Sequence, residues 1–177
     1  MKYTQRWGAL TGSLMYGFGE ATGNMSAQAS GGAALRYAAG ALIVSGALQQ
    51  FRSAADRKLD AATLGAAYRI GQFSLMANIG SHKAQASDTT RTTQQVFAAG
   101  AKMDVTAAVT LSAGVDRKRT TQQDDGYRRG LLLAEYQLSK RSRLYAEADH
   151  TRWHDGYQGA GNKARATGMS LGVTHSF

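Results

Sequence analysis

Met169-Ser170-Leu171-Gly172-Val173-Thr174-His175-Ser176-Phe177 closes the chain. Met169, Leu171, Val173, His175 and Phe177 alternate with Ser170, Gly172, Thr174 and Ser176. Successive side chains of a strand point to opposite faces, so a period of two gives one larger, mostly apolar face and one small or polar face. The same pattern recurs upstream. Leu42, Val44, Gly46 and Leu48 share a face against Ser45 and Gln49. Phe73, Leu75, Ala77 and Ile79 alternate with Ser74, Met76, Asn78 and Gly80, and Val109, Leu111, Ala113 and Val115 with Thr110, Ser112, Gly114 and Asp116. Helical spacing explains none of these segments. The chain is all-β.

Composition narrows the class. The 177 residues include no Cys, no Pro and 21 Gly, with a formal net charge of +9. Without Cys there are no disulfides, thiolate metal sites or cysteine nucleophiles. A hydrophobic content of 43% excludes a disordered chain, yet no run nears the roughly 18 apolar residues of a membrane helix. Lys2 and Arg6 could open a leader, but Thr11, Gly12 and Ser13 interrupt the apolar run from Ala9 to Met15, so no signal peptide is expected within these residues.

Short turns are expected near Trp7-Gly8, Ala39-Gly40, Gly71-Gln72, Thr106-Ala107 and Lys140-Arg141, at intervals of roughly 32 to 35 residues. Long polar loops are expected between them, over 20–30, 52–60, 83–93, 119–126 and 154–163. Eleven strands follow, near Lys2–Gln5, Leu10–Phe18, Gly32–Ala38, Leu42–Phe51, Ala61–Ile70, Phe73–His82, Gln95–Val105, Ala108–Lys118, Tyr127–Leu138, Arg143–Arg152 and Ala166–Phe177. Short turns on one side and long loops on the other are the habit of an outer-membrane barrel. Tyr37, Tyr68, Phe73, Tyr136 and Phe177 fall beside the short turns or at the C-terminus, and Tyr16 and Phe18 at the opposite end, as two interfacial girdles require. The other face carries Lys2, Arg36, Arg69, Lys102, Asp104, Asp116, Lys118, Arg129, Glu135, Arg143, Glu147 and Asp149. In a soluble barrel these would point to water; in a membrane barrel they line a wet interior. Girdles and loop asymmetry favour the membrane. The fold expected over residues 1–177 is a single antiparallel transmembrane β-barrel region, partial, of about ten or eleven strands.

Several runs then resemble the sixteen-stranded general porins of Gram-negative bacteria, especially the β-proteobacterial type. Gly172-Val173-Thr174-His175-Ser176-Phe177 resembles that family's closing strand. Tyr136-Gln137-Leu138-Ser139-Lys140-Arg141-Ser142 leading into Leu144-Tyr145-Ala146-Glu147 resembles its second-last turn. Lys2-Tyr3-Thr4 and Met15-Tyr16-Gly17-Phe18-Gly19-Glu20 resemble the strands after its inward-folded constriction loop. The resemblance implies the last eleven of sixteen strands, with five strands, a signal peptide and the constriction loop expected before Met1. It implies a homotrimer in an outer membrane rich in lipopolysaccharide. It also implies that Met169, Leu171, Val173, His175 and Phe177 form the signal read by the barrel-assembly machinery.

A porin does no covalent chemistry and needs no cofactor or metal. Small hydrophilic solutes diffuse through water, filtered by the width and charge of the lumen. Candidate pore-lining residues are those of the polar face, with Lys2 the member that the resemblance places nearest the constriction. Arg36, Arg69 and Lys102 are expected towards the periplasmic mouth, and the selectivity expected is a mild preference for anions. The loop-side Arg117, Lys118, Arg119, Arg128 and Arg129 are expected against lipopolysaccharide phosphate. The remaining charge is too dispersed for nucleic acid.

Two rivals remain. A small complete barrel could be an adhesin. A surface protease could use Asp124-Asp125, Asp149-His150 and His154-Asp155, with an Asp-oriented His activating water. A metal held by His150 and His154 would need a helix, where a strand is expected.

Overall fold

A computed structural model describes residues 1–19, 26–87, 90–121, 126–154 and 161–177. Eleven strands form: β1 (Lys2–Trp7), β2 (Leu10–Gly17), β3 (Ser30–Ala39), β4 (Leu42–Arg52), β5 (Lys58–Ile70), β6 (Phe73–Gln85), β7 (Arg91–Asp104), β8 (Val109–Thr121), β9 (Gly126–Gln137), β10 (Ser142–His154) and β11 (Arg165–His175). They lie in one sheet in chain order, each antiparallel to its neighbour. β1 and β11 stand at its two edges, so the sheet is not closed. It is a partial barrel wall. Among the described residues there is no helix.

Each expected strand is present, and the boundaries near short turns agree to within two residues. At the other end most strands run higher than expected. β5 begins at Lys58, β6 extends to Gln85, β7 begins at Arg91, β8 reaches Thr121 and β10 reaches His154. The ladder hydrogen-bonds backbone groups whatever their side chains, so pairing continues where apolar alternation has stopped. The intervals between β4 and β5, β6 and β7, and β8 and β9 are correspondingly shorter than expected.

The short turns use two chemistries. Gly8, Gly40 and Gly71 are each the first of two linking residues, at φ 58°, 54° and 57°. A single positive φ at that position is the type II′ pattern, whose twist matches that of the flanking strands. The other two connections lack glycine and use hydroxyls. Thr106 Oγ1 accepts from the N–H groups of Ala108 (3.1 Å) and Val109 (3.0 Å). Ser139 Oγ accepts from those of Arg141 (3.2 Å) and Ser142 (3.1 Å).

Directly opposed residues share a face, so the register sorts every strand residue. Leu14, Leu35, Leu48, Leu64, Ile79, Phe97, Val115, Leu132, Met169 and Leu171 share one face. The aromatic residues Trp7, Tyr16, Tyr37, Tyr68, Phe73 and Tyr136 lie on this face too. The opposite face is mainly Ser, Thr, Gly, Ala, Gln and charges. The apolar face is the open one: Leu132 is 62% exposed and Leu48 64%. The side chains of Asp116 and Glu135 on the polar face are only 17% and 20% exposed. The sheet therefore curls around its polar face. Among the described residues the buried hydrophobic ones are only Ala27 and Ala29, so there is no dry core.

Rungs of the ladder run obliquely. The rung leaving the β5–β6 turn at Ile70 and Phe73 passes Met103, Leu111, Ala134 and Ala146 and meets β11 at Leu171, short of that strand's end at His175. Such stagger is what tilted strands of a barrel require. On the inner face Tyr145 lies over Gly172, its cross-strand partner, and a Cβ there would collide with the ring.

Leu132 and Leu133 are neighbours on β9 that point to opposite faces. In lipid vesicles Leu132→Arg is expected to cost about 2–4 kcal/mol of folding free energy, and Leu133→Arg much less. Urea titration of the two refolded variants checks this; equal costs would remove the assignment of the outer face to lipid.

Candidate pore lining

The eleven sequence candidates, Lys2, Arg36, Arg69, Lys102, Asp116, Lys118, Arg129, Glu135, Arg143, Glu147 and Asp149, all lie on the inner face. One rung crosses the whole wall: Arg6, Thr11, Arg36, Ser45, Gly65, Asn78, Ala98, Asp116, Arg129, Thr151 and Ala166. Parity puts each of these eleven residues on the inner face of its strand, and the register lines them up.

Their surroundings differ along the wall. On β1 to β6 the lining is largely neutral. Thr4 and Ser13 hydroxyls pair at 3.1 Å, and Asn78 Nδ2 donates to Thr63 Oγ1 at 2.9 Å. Lys2 and Arg36 have no ion pair among the described residues. On β7 to β11 most charges are paired. Arg129 Nε donates to Asp116, its directly opposed neighbour, at 2.8 Å. Asp149 lies diagonally across from Arg129 and accepts from Thr151 Oγ1 at 3.4 Å. Arg143 pairs with Glu135 at 2.7 Å.

The third cluster has a centre that is absent from the pore-lining candidates, though its parity put it on the polar face. Asp104, the last residue of β7, holds Arg69 at 3.4 Å and Lys102 at 3.3 Å and accepts from Thr110 Oγ1 at 3.2 Å. Arg69 reaches it across the intervening strand β6, where Ser74 leaves room. Alternation places Asp104 on the right face, but only the three-strand geometry makes it a hub. Tyr145, Tyr127 and Trp153 also face inward, unremarked among the apolar residues of the sequence. The available signal was the parity of Tyr145 and Trp153 with Glu147 and Asp149, and of Tyr127 with Arg129 and Glu135.

Two expectations are corrected. Arg117 and Lys118 do not act on one surface, because Arg117 lies on the outer face and Lys118 on the inner one. Likewise Arg128 points outward and Arg129 inward. Asp149 and His150 are adjacent on β10 and so point to opposite faces, which prevents the carboxylate from orienting that imidazole. His150 Nδ1 is instead 2.8 Å from Thr167 Oγ1. His150 and His154 share the outer face of a strand, four residues apart, too far to hold one ion. Asp124, Asp125 and Asp155 lie outside the described residues. Among the described residues no three His, Cys, Asp or Glu side chains converge as a metal site.

An antiparallel wall that turns large apolar side chains outward and ion pairs inward is that of an outer-membrane β-barrel. A family model described as Gram-negative porin matches residues 1–156, and the chain belongs to that family. Its fold is similar to the anion-selective porin from Comamonas acidovorans, with a TM-score of 0.87, 21% identity, and coverage of 99% of this chain and 58% of that one. It is similar to in-vitro folded OmpT, an outer membrane protein of Vibrio cholerae, with a TM-score of 0.79 and 16% identity over 98% of this chain and 62% of that one. A porin refined at 1.8 Å gives a TM-score of 0.77 and 15% identity, over 99% of this chain and 60% of that one. The chain thus spans about three-fifths of the length of these solved structures. No curated protein matches it.

Ion pairs on a wet wall are weak, because solvent screens them and long side chains must be held still. A double-mutant cycle of Asp116→Asn with Arg129→Gln is expected to give a coupling below about 1 kcal/mol that shrinks as salt rises. Urea unfolding of the four proteins at low and high ionic strength measures it.

Proposed function

We propose that this chain forms part of the wall of a water-filled outer-membrane channel through which small hydrophilic solutes diffuse passively. The carrying observation is the inverted curl, with half-buried ion pairs inside and exposed Leu, Ile, Phe and Met outside. Residues 1–177 act as a single barrel region. Its open edges at β1 and β11 carry unpaired backbone groups that hydrocarbon does not tolerate. Further strands, or a second copy, complete the ring. The activity is permeation, without covalent chemistry.

The wall favours anions mildly. Its inner face carries the basic side chains of Lys2, Arg6, Arg36, Arg69, Lys102, Lys118, Arg129 and Arg143 against the acidic Asp104, Asp116, Glu135, Glu147 and Asp149. Three of those acids are consumed in ion pairs with Arg129, Arg143, Arg69 and Lys102. Lys2 and Arg36 are left to attract anions. The anion selectivity named for the Comamonas protein agrees with this reading. Small anionic or neutral polar molecules are the solute class, and a trimer is the expected assembly.

Reversal potentials in planar bilayers under a KCl gradient test the pore. The wild type is expected to conduct with a chloride preference. Replacing Arg36 and Lys102 by Glu is expected to shift the reversal potential towards potassium selectivity. Absence of any step conductance would overturn the channel.

The C-terminal strand presents Met169, Leu171, Val173 and His175 on the outer face, and Phe177, two residues beyond its end, is fully exposed and edge-on to His175 at 4.9 Å. This strand is the recognition element for the barrel-assembly machinery. Deleting Phe177 is expected to lower outer-membrane levels several-fold in cells while leaving refolding in detergent unchanged. Equal losses in both assays would make Phe177 a structural residue only.

A further inference from the structure

Towards the long loops, the inner face of β4 to β7 carries almost no charge. One rung of it reads Gln49, Ala61, His82 and Gln94 and continues to Thr120 on β8. The charged residues at this end of the same strands, Arg52, Lys58, Asp60, Lys83 and Arg91, all lie on the outer face. His82 is the one titratable side chain on this stretch of the inner wall among the described residues. It is exposed, and its ring has no hydrogen bond or ion pair among them. Gly80, two residues away on the same face, leaves room beside it: a Cβ there would lie 4.0 Å from both His82 Nε2 and Thr63 Oγ1.

The charges that come nearest are few. Lys118 of β8 stands two strands away and two residues off the rung, about 12 Å along the wall. Asp116, further down β8, is held by Arg129. Arg57, in the β4–β5 connection, donates to the Ala86 carbonyl at 2.7 Å. Lys2 shares the rung of His82 but lies five strands away, about 24 Å. The remaining histidines, His150, His154 and His175, are on the outer face and do not meet a solute in the lumen.

Histidine is the side chain whose charge ordinarily changes between pH 5 and 8, whereas carboxylates largely keep theirs above about pH 5. A proton gained here is therefore an unbalanced positive charge on a neutral surface. Its field reaches about 10 Å at 0.1 M salt and about 30 Å at 0.01 M.

We infer that His82 is a selectivity-determining residue of the channel: its imidazolium, formed as the pH falls, turns this uncharged stretch of the lumen wall basic and raises the preference for small anions. The inference rests on the channel reading. It adds a proton-dependent increment to the fixed basic bias of Lys2 and Arg36.

Reversal potentials of the full chain in planar bilayers, under a KCl gradient at low ionic strength, test it at pH 8 and pH 5.5. The wild-type chloride-to-potassium permeability ratio is expected to rise about twofold on acidification, the effect of one unit charge about 10 Å from a passing ion. His82→Gln should lose most of that rise and match the wild type at pH 8. His82→Lys should show the raised ratio already at pH 8. His150→Gln, which removes an outer-face imidazole, should respond like the wild type. An unchanged pH response in His82→Gln, or an unchanged ratio at pH 8 in His82→Lys, would overturn the role of His82 while leaving the channel intact. An equal loss of response in His150→Gln would overturn the lumenal assignment. Absence of step conductance in every protein would overturn the channel reading and this inference with it. Should either His82 variant fail to fold, the other decides.

Discussion

Everything in this molecule depends on pairing backbone polar groups where water is absent. A strand in hydrocarbon has nothing but its neighbour to satisfy its N–H and C=O groups. The ladder therefore runs unbroken through β2 to β10, and the connections at the short-turn end take only two or four residues. Glycine at positive φ does this in three turns; Thr106 and Ser139 do it in two others by capping the turn with a hydroxyl. The same requirement makes β1 and β11 the places where the structure needs a partner.

Turning the apolar face outward shifts electrostatics to the inside of the curve. There the charges sit in a half-exposed, hydrated wall, close enough to pair and wet enough that pairing contributes little to stability. Their consequence is functional. In the proposed reading, Asp104, Asp116 and Glu135 are held by Arg69, Lys102, Arg129 and Arg143, while Lys2 and Arg36 have no ion pair among the described residues and give the wall its basic bias. The outer face is organised by the same principle of segregation. On β8 to β11 every acid is inside, so the outer-face Arg117, Arg128, Arg152 and Arg165 have no acid beside them on those strands.

Strand identity was legible because period-two alternation survives in almost every segment, even in Ala- and Gly-rich β3 and β5. Boundaries were less legible at the loop end, since hydrogen bonding carries β6 and β7 through polar residues such as Lys83, Gln85 and Arg91. Neighbouring charges in the sequence were also misleading as pairs. Arg117-Lys118, Arg128-Arg129 and Asp149-His150 each read as one local cluster, and each is divided between two faces by the pleat.

By itself the sequence determined the all-β class, eleven strands in order, the two-sidedness of each, and which residues share a parity. These follow from local periodicity and turn chemistry, which need no knowledge of distant residues. Only the tertiary structure decided the direction of curl, and hence which face is outside. It also decided that Asp104 gathers Arg69, Lys102 and Thr110 from three strands, and that Arg117, Arg128, Arg152 and Arg165 fall in one row. The reason is register. Residues far apart in the chain become neighbours only once inter-strand hydrogen bonds set the stagger of one strand against the next, and alternation within a single strand carries no record of that offset.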